Sequence, residues 1–257
     1  MTRIAPTPSG YLHLGNAANF AANALLAART DGRLLLRIDD LDRARVRPAY
    51  LQDVFDVLDW LGIEPTEGPR DVEDFTAHWS QEHRMPLYRA ALETLRTRTA
   101  PNGPQLFACP CSRKELADGV HFYDCPTAGI ALAAPQVAWR IDTRGLPLHA
   151  QMPDFAVRKK DGRPSYQLAC TVDDYHYRIT TCARGEDLRA STAAQAVVSD
   201  LLGYPKLEER MDVIHHPLLL HDGGKLSKSQ GAGGVRELGV SRKEVFAIAK
   251  AWLHLPR

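Results

Sequence analysis

The feature that most narrows the fold lies at the start of the chain. Arg3 to Ala5 reads as a short strand, Pro6 to Gly15 as a proline- and glycine-rich loop, about Ala17 to Ala28 as an alanine-rich helix, and Arg33 to Ile38 as a second strand. Strand, helix and strand at this spacing make a βαβ unit, which requires a parallel sheet and a right-handed crossover. The expected fold class is therefore α/β, a Rossmann-type parallel sheet. Ligands of such sheets gather at the carboxyl ends of the strands, so the loop after the first strand is the first place to look for a site.

Further along, Leu51, Val54, Phe55, Leu58 and Leu61 keep the spacing of an amphipathic helix, which Gly62 ends. Another helix is expected from about Pro86 to Arg96. The pattern then breaks: residues 101–153 hold many prolines and glycines, three clustered cysteines and a strand-like piece, Val137 to Ile141. They read as an insertion between two halves of one catalytic domain, residues 1–100 and 154–230. The second half carries a strand-like Phe155 to Arg158, a turn at Asp161-Gly162, a helix near Tyr166 to Val172, a strand at Arg178 to Ala183 and a helix near Thr192 to Leu202. The β-rich stretch Val213 to Leu220 leads into a Gly/Ser/Lys loop. Residues 231–257 form a short C-terminal helical segment whose helix runs from about Arg242 to Leu253.

At 257 residues, with 44% hydrophobic and 25% charged, the chain is long enough for one large domain with a small insertion. Its net charge of +1 spreads no basic field over the surface, so any contact with RNA must come from a local patch. No apolar run approaches the roughly 18–20 residues that cross a bilayer, and the first residues carry no signal-peptide pattern. The expectation is a cytoplasmic monomer with no membrane partner. The five cysteines are odd in number, with Cys109, Cys111 and Cys125 clustered and Cys170 and Cys182 in apolar stretches. A metal site or buried thiols fit them better than a disulfide framework.

Two segments carry chemistry. In the first loop, His13, Gly15 and Asn16 lie where the following helix offers free N–H groups to a phosphate, which suits a nucleotide cradle. A turn histidine facing solvent is the competing reading of that tetrapeptide alone. Far downstream, Lys225-Leu226-Ser227-Lys228-Ser229 places two lysines in a glycine-flanked loop. They can neutralise charge that builds on an α-phosphate and a departing pyrophosphate when a carboxylate attacks ATP. A solvated basic turn is the alternative.

In this order the two segments resemble the HIGH and KMSKS signatures of class I aminoacyl-tRNA synthetases, here His-Leu-Gly-Asn and Lys-Leu-Ser-Lys-Ser. Arg3-Ile-Ala-Pro-Thr-Pro-Ser-Gly-Tyr-Leu-His, Arg37-Ile-Asp-Asp-Leu-Asp-Arg43, Tyr166-Gln-Leu-Ala, Val172-Asp173-Asp174 and Arg184-Gly-Glu-Asp187 are similar to glutamyl-tRNA synthetases, so the resemblance covers essentially the whole chain. It implies ATP with Mg2+ as substrate, held by His13, Gly15, Asn16 and Lys228, with His13, Asn16, Lys225 and Lys228 as the catalytic set. It implies a glutamate pocket of Arg3, Ala5, Thr7, Asp39, Tyr166 and Arg184. Arg184 matches the arginine that pairs with the side-chain carboxylate, Arg3 a second one, and Asp39 the acid that holds the α-ammonium, with Tyr166 beside it. The family usually has Glu at the Asp39 position, and Val or Asn at the Cys170 position.

Full glutamyl-tRNA synthetases carry further helical domains after the lysine loop. The shorter chain here resembles instead the paralogues that activate glutamate and transfer it to queuosine in the anticodon loop of tRNA(Asp), which makes tRNA(Asp) the expected partner. Charging of a tRNA 3′ end, a protein or small-molecule acceptor, and a silent binding protein are the alternatives. Those paralogues hold Zn2+ through Cys-x-Cys, a tyrosine and a last cysteine, which implies Cys109, Cys111, Tyr123 and Cys125 as ligands. Here Cys125 follows Tyr123 by two residues instead of four, and whether His121 or Tyr123 completes the shell stays open.

Overall fold

The computed structural model describes residues 1–98, 106–112, 115–116, 124–221, 224–225 and 234–255. They form two compact units: Met1–Arg84 with Arg178–Leu188 and Met211–Arg257, and Met85–Tyr177 with Arg189–Arg210.

The first unit is built on a parallel sheet of four strands, β1 (Thr2–Ile4), β2 (Leu34–Leu36), β6 (Thr181–Gly185) and β7 (Asp212–His216), in the order β2-β1-β6-β7. The Rossmann-type α/β class expected from the first βαβ unit is thus present. From β1 the chain steps outward to β2, and the later strands are added on the other side of β1, so the order reverses between β1 and β6. Such a reversal leaves a crevice at the carboxyl ends of the two strands. Helix α1 (Leu14–Arg29) crosses from β1 to β2 and buries Ala17, Ala18, Phe20, Ala21, Ala22, Leu26 and Ala27. Small side chains let it lie close to the sheet. It begins three residues earlier than the alanine pattern suggests, because His13 caps it.

Helix α2 (Pro48–Leu61) starts on a proline at its first turn and stops at Gly62, whose φ of 63° a side chain adopts with difficulty. After the short helical turn α3 (Val72–Asp74), the unit is completed by α8 (Arg242–Trp252), opened by a reciprocal Ser241–Glu244 capping box. Ile4, Leu36, Ile38, Val54, Val57, Leu61, Val235 and Val245 form its core.

The second unit holds an antiparallel sheet of β3 (Leu106–Cys109), β4 (Ala138–Asp142) and β5 (Asp154–Arg158). The sequence pattern groups Phe155–Arg158 with the returning α/β alternation, yet β5 pairs antiparallel with β4. A short strand with polar residues beside each apolar one carries no mark of parallel or antiparallel pairing. Around this sheet the unit has α4 (Met85–Thr97), α5 (Tyr166–His176), α6 (Arg189–Leu202) and α7 (Leu207–Arg210). Asp173 on α5 is fully buried and accepts the Tyr88 hydroxyl of α4 through both oxygens, at 2.8 and 2.9 Å. The Val-Asp-Asp stretch is therefore partly a packing device. A hairpin of β8 (Leu220–His221) and β9 (Gly224–Lys225) belongs to the first unit. Among the described residues, no helix is long and apolar enough to cross a membrane.

Candidate active site

The crevice of the first unit is assembled from three loops. After β1 the chain continues alongside the end of β2: Arg37 N–H donates to Ile4 C=O and Asp39 N–H to Pro6 C=O, both at 2.9 Å. Asp39 is thereby set next to the segment that carries Ala5 and Thr7. Arg37 and Asp39 are both buried, and the guanidinium meets the carboxylate as a fork, Nε to Oδ1 at 2.8 Å and NH2 to Oδ2 at 3.1 Å. Arg3 lies on β1 and Arg184 on β6, each at most 5% exposed. The β1–β6 register pairs Thr2 with Thr181; counting along both strands brings Arg184 level with Ala5.

Beyond that register point a side chain takes over the ladder. Ala183 N–H donates to Asn23 Oδ1 at 2.8 Å, and its carbonyl accepts from Asn23 Nδ2 at 3.0 Å and from Asn19 Nδ2 at 2.9 Å. Helix α1 thus satisfies the Ala183 backbone groups that β1 would bind in a continuous sheet. Asn19 also approaches His216 Nε2 at 3.0 Å. Since the amide nitrogen can only donate, Nε2 accepts, and Nδ1–H donates to Pro217 C=O at 2.9 Å.

His13 is the N-cap of α1. Its Nδ1 accepts from Asn16 N–H at 3.4 Å, and Asn16 Oδ1 accepts from His13 N–H at 3.1 Å. The imidazole lies over the first turn, and a Cβ on Gly15 would stand 3.1 Å from Cε1 and Nδ1 of the ring. Glycine therefore leaves the capping ring in place, where a side chain would push it aside by a few tenths of an ångström. The His-Leu-Gly-Asn tetrapeptide is a cap that holds one imidazole against the positive end of a sixteen-residue helix, the end that favours an anion.

The structure thus brings Arg3, Ala5, Thr7, His13, Gly15, Asn16, Asp39 and Arg184 into the first unit. Lys225 belongs to β9, while Lys228 lies outside the described residues. Tyr166 belongs to the second unit, at the start of α5 behind the Ser165 cap, and is 41% exposed. A family model for the catalytic domain of the class I tRNA synthetases (E and Q) matches residues 1–96 and 134–248. The chain belongs to that family.

This class I synthetase chain is a ligase of the aminoacyl-tRNA synthetase type, a class that uses ATP with Mg2+. It is 35% identical over 252 residues to a glutamyl-Q tRNA(Asp) synthetase of Methylococcus capsulatus, covering 91% of this chain and 78% of that protein. A protein of the same name from Symbiobacterium thermophilum is 35% identical over 95% of this chain and 83% of its own length. A glutamate–tRNA ligase of Coprothermobacter proteolyticus is 32% identical over 91% of this chain but 53% of that enzyme. In fold, the chain resembles a solved glutamate–tRNA synthetase of Elizabethkingia anophelis with a TM-score of 0.71 at 24% identity, over 93% of this chain and 53% of the other.

In the second unit, the sulfur atoms of Cys109, Cys111 and Cys125 lie within 4.8 Å of one another, all buried, with Cys111 Sγ and Cys125 Sγ 3.5 Å apart. Tetrahedral zinc with bonds of about 2.3 Å spaces its sulfurs by roughly 3.8 Å, so the three thiols fit three corners of such a site. Burial pushes the Cys125 thiol up to about 12 and raises Cys109 too, and the neighbouring thiols add to the rise at Cys125. A divalent cation would relieve that cost of ionisation. Tyr123 and His121 lie outside the described residues.

Several site residues escape the sequence reading. Asn19 and Asn23 support the strand that bears Arg184, and their signal is two carboxamides four residues apart on one face of an alanine-rich helix. Asp40 accepts Ser80 Oγ at 2.6 Å, Gln81 N–H at 2.8 Å and Arg43 at 2.6 Å. It fixes the turn that follows Trp79, and nothing in its type separates it from Asp39.

Proposed function

We propose that this enzyme activates glutamate with ATP and transfers the glutamyl group to queuosine in the anticodon loop of tRNA(Asp). The observation that carries the reading is the pair of buried arginines, Arg3 and Arg184, beside the crevice where a class I fold binds its substrates. A buried guanidinium favours an acidic side chain and penalises a neutral one. Arg184, with Arg3, takes the substrate's side-chain carboxylate. Asp39, flanked by Ala5 and Thr7, takes the α-ammonium, with Tyr166 as a further glutamate-binding residue. The 35% identity to relatives named glutamyl-Q tRNA(Asp) synthetase, over most of both chains, supports the acceptor.

The reaction runs in two steps. The α-carboxylate of glutamate attacks the α-phosphorus of Mg-bound ATP, the bond to the bridging oxygen breaks, and pyrophosphate leaves; an RNA hydroxyl then displaces AMP from glutamyl-adenylate. His13, held by its cap, and Gly15 and Asn16 at the helix end bind the phosphates, while Lys225 and Lys228 neutralise charge on the α-phosphate and the leaving group. Residues 1–100 and 154–230 serve as the catalytic domain, 101–153 as the insertion and 231–257 as its helical tail; the family model omits residues 97–133, most of that insertion, and matches 134–248. Cys109, Cys111 and Cys125, with Tyr123 or His121, would hold zinc as a structural link.

The test is exchange of labelled pyrophosphate into ATP. It should depend on glutamate, proceed without tRNA and fail with glutamine. Exchange driven by another amino acid would overturn the substrate assignment. Charging of a tRNA 3′ end is the second reading, supported by the 32% identity to a glutamate–tRNA ligase.

A further inference from the structure

Helix α2 buries Leu51, Val54, Val57, Leu58 and Leu61, and among them Asp53, which is 2% exposed. A carboxylate on the inner face of a helix is costly unless it is paired and hydrogen-bonded, so its partners reveal its use. Asp53 Oδ2 accepts the backbone N–H of Leu12 at 2.7 Å. Oδ1 faces Arg236 NH2 at 3.5 Å, and the same nitrogen reaches Asp56 Oδ2 at 2.7 Å.

These contacts converge on the residue before the helix-capping histidine. Leu12, 1% exposed, gives its N–H to Asp53 and its C=O to Val235 N–H at 2.8 Å, so both of its backbone groups are held by distant segments. Val235 is fully buried, and Gly234 beside it lies so close that an added Cβ would stand 3.3 Å from Asp53 Oδ1. In the sequence, Gly234 to Arg236 follow directly on the segment that begins with Lys225-Leu-Ser-Lys-Ser229. Asp53 therefore grips, through one carboxylate, the backbone that aims His13 and the chain downstream of the lysine loop.

We propose that Asp53, with Arg236, is a positioning residue for ATP: it fixes the His13 loop and the anchor of the lysine loop in one register, so that both address the same phosphates. The proposal deepens the function inferred above and rests on it for the roles of His13 and the lysines. In this role both residues act through the backbone segments that they hold.

Asp53→Asn keeps an acceptor for Leu12 N–H and removes the charge that faces Arg236. Arg236→Gln removes the other half at a side chain 42% exposed, where folding is at little risk; Arg236→Lys restores charge. In steady-state pyrophosphate exchange with the full chain, Asp53→Asn and Arg236→Gln should each lower kcat/KM for ATP by about tenfold, within the range that small misplacement costs. KM for glutamate should hold, the double variant should lose no more than the worse single, and Arg236→Lys should recover most of the loss. Amide hydrogen exchange should quicken together at Leu12 and Val235 in both single variants. Loss of thermal stability with unchanged kcat/KM for ATP would make Asp53 a packing residue and overturn the proposal. An unaltered exchange rate at either amide would do the same. If the parent protein exchanges no pyrophosphate with glutamate, the glutamate reading falls by itself. Calorimetric titration with ATP then decides the present point, since equal affinity in parent and Arg236→Gln would contradict it.

Discussion

Arg37 grips Asp39 with two parallel hydrogen bonds, 2.8 and 3.1 Å long, inside the crevice wall. The fork aligns the carboxylate and offsets its charge, so Asp39 can meet a substrate ammonium with its direction already set. The shorter acid here, where relatives of this family usually carry Glu, is held by its own arginine. Breaking a buried pair from one side leaves the other charge without compensation and costs about 3 kcal/mol or more. Arg37→Met should therefore destabilise the chain by that order in urea titration, whereas Asp39→Asn should chiefly raise KM for glutamate. A stability change below about 1 kcal/mol for Arg37→Met would mean that solvent reaches the pair.

Gly15 separates activity from stability. An added methyl would press on the His13 imidazole at 3.1 Å, while alanine in a helix gains about 1 kcal/mol over glycine. Gly15→Ala should leave the melting temperature unchanged or slightly raised and lower kcat/KM for ATP by about tenfold, the scale of a displaced binding group. Undiminished kinetics would show that the ring moves aside without consequence.

His216 gives the fold a pH dependence of known sign. Burial lowers its pKa below 6.5, against the opposing pull of the Pro217 carbonyl and Asp187, and the donor from Asn19 demands an unprotonated Nε2. The unfolded chain takes up the proton more readily. Its contribution is thus fully present above about pH 6.5, declines as the pH falls toward the lowered native value and levels off beneath it. The ring stacks flat on Trp252 at 3.8 Å, so His216→Phe keeps a ring there that cannot titrate. Urea midpoints at about pH 7.5 and about pH 5.5 should differ less in that variant than in the parent. An equal difference would place the titration elsewhere.

The cysteine cluster predicts about one zinc per chain, the stoichiometry of one tetrahedral site. Elemental analysis of zinc-replete protein should give that ratio, and Cys109→Ser or Cys125→Ser should abolish it. His121→Ala and Tyr123→Phe then identify the fourth ligand. Zinc content that ignores the cysteine substitutions would dismiss the site.

Much of the fold was legible because its signals are local. The loop between β1 and α1, the Gly62 stop and the spacing of Leu51 to Leu61 all reflect short-range backbone rules. What was not legible depends on long-range pairing. The antiparallel partnership of β5 with β4, the extension of α5 to His176 and the hold of Asn23 on Ala183 follow from neighbours a dozen or more residues away. The site divides the same way. His13, Gly15 and Asn16 form one local cap, whereas Asp40 and Asp53, equally acidic in sequence, reveal their tasks only through Ser80, Gln81, Leu12 and Arg236.

The central claim, that glutamate goes to queuosine, is tested most directly by following labelled glutamate onto tRNA(Asp) with and without the modified base, with nuclease mapping of the product. The account predicts label only on queuosine-containing tRNA, in the anticodon-loop fragment, and transfer that weakens steeply with salt because the contacts are to phosphate. Label on the 3′-terminal adenosine, or equal transfer to unmodified tRNA, would contradict it.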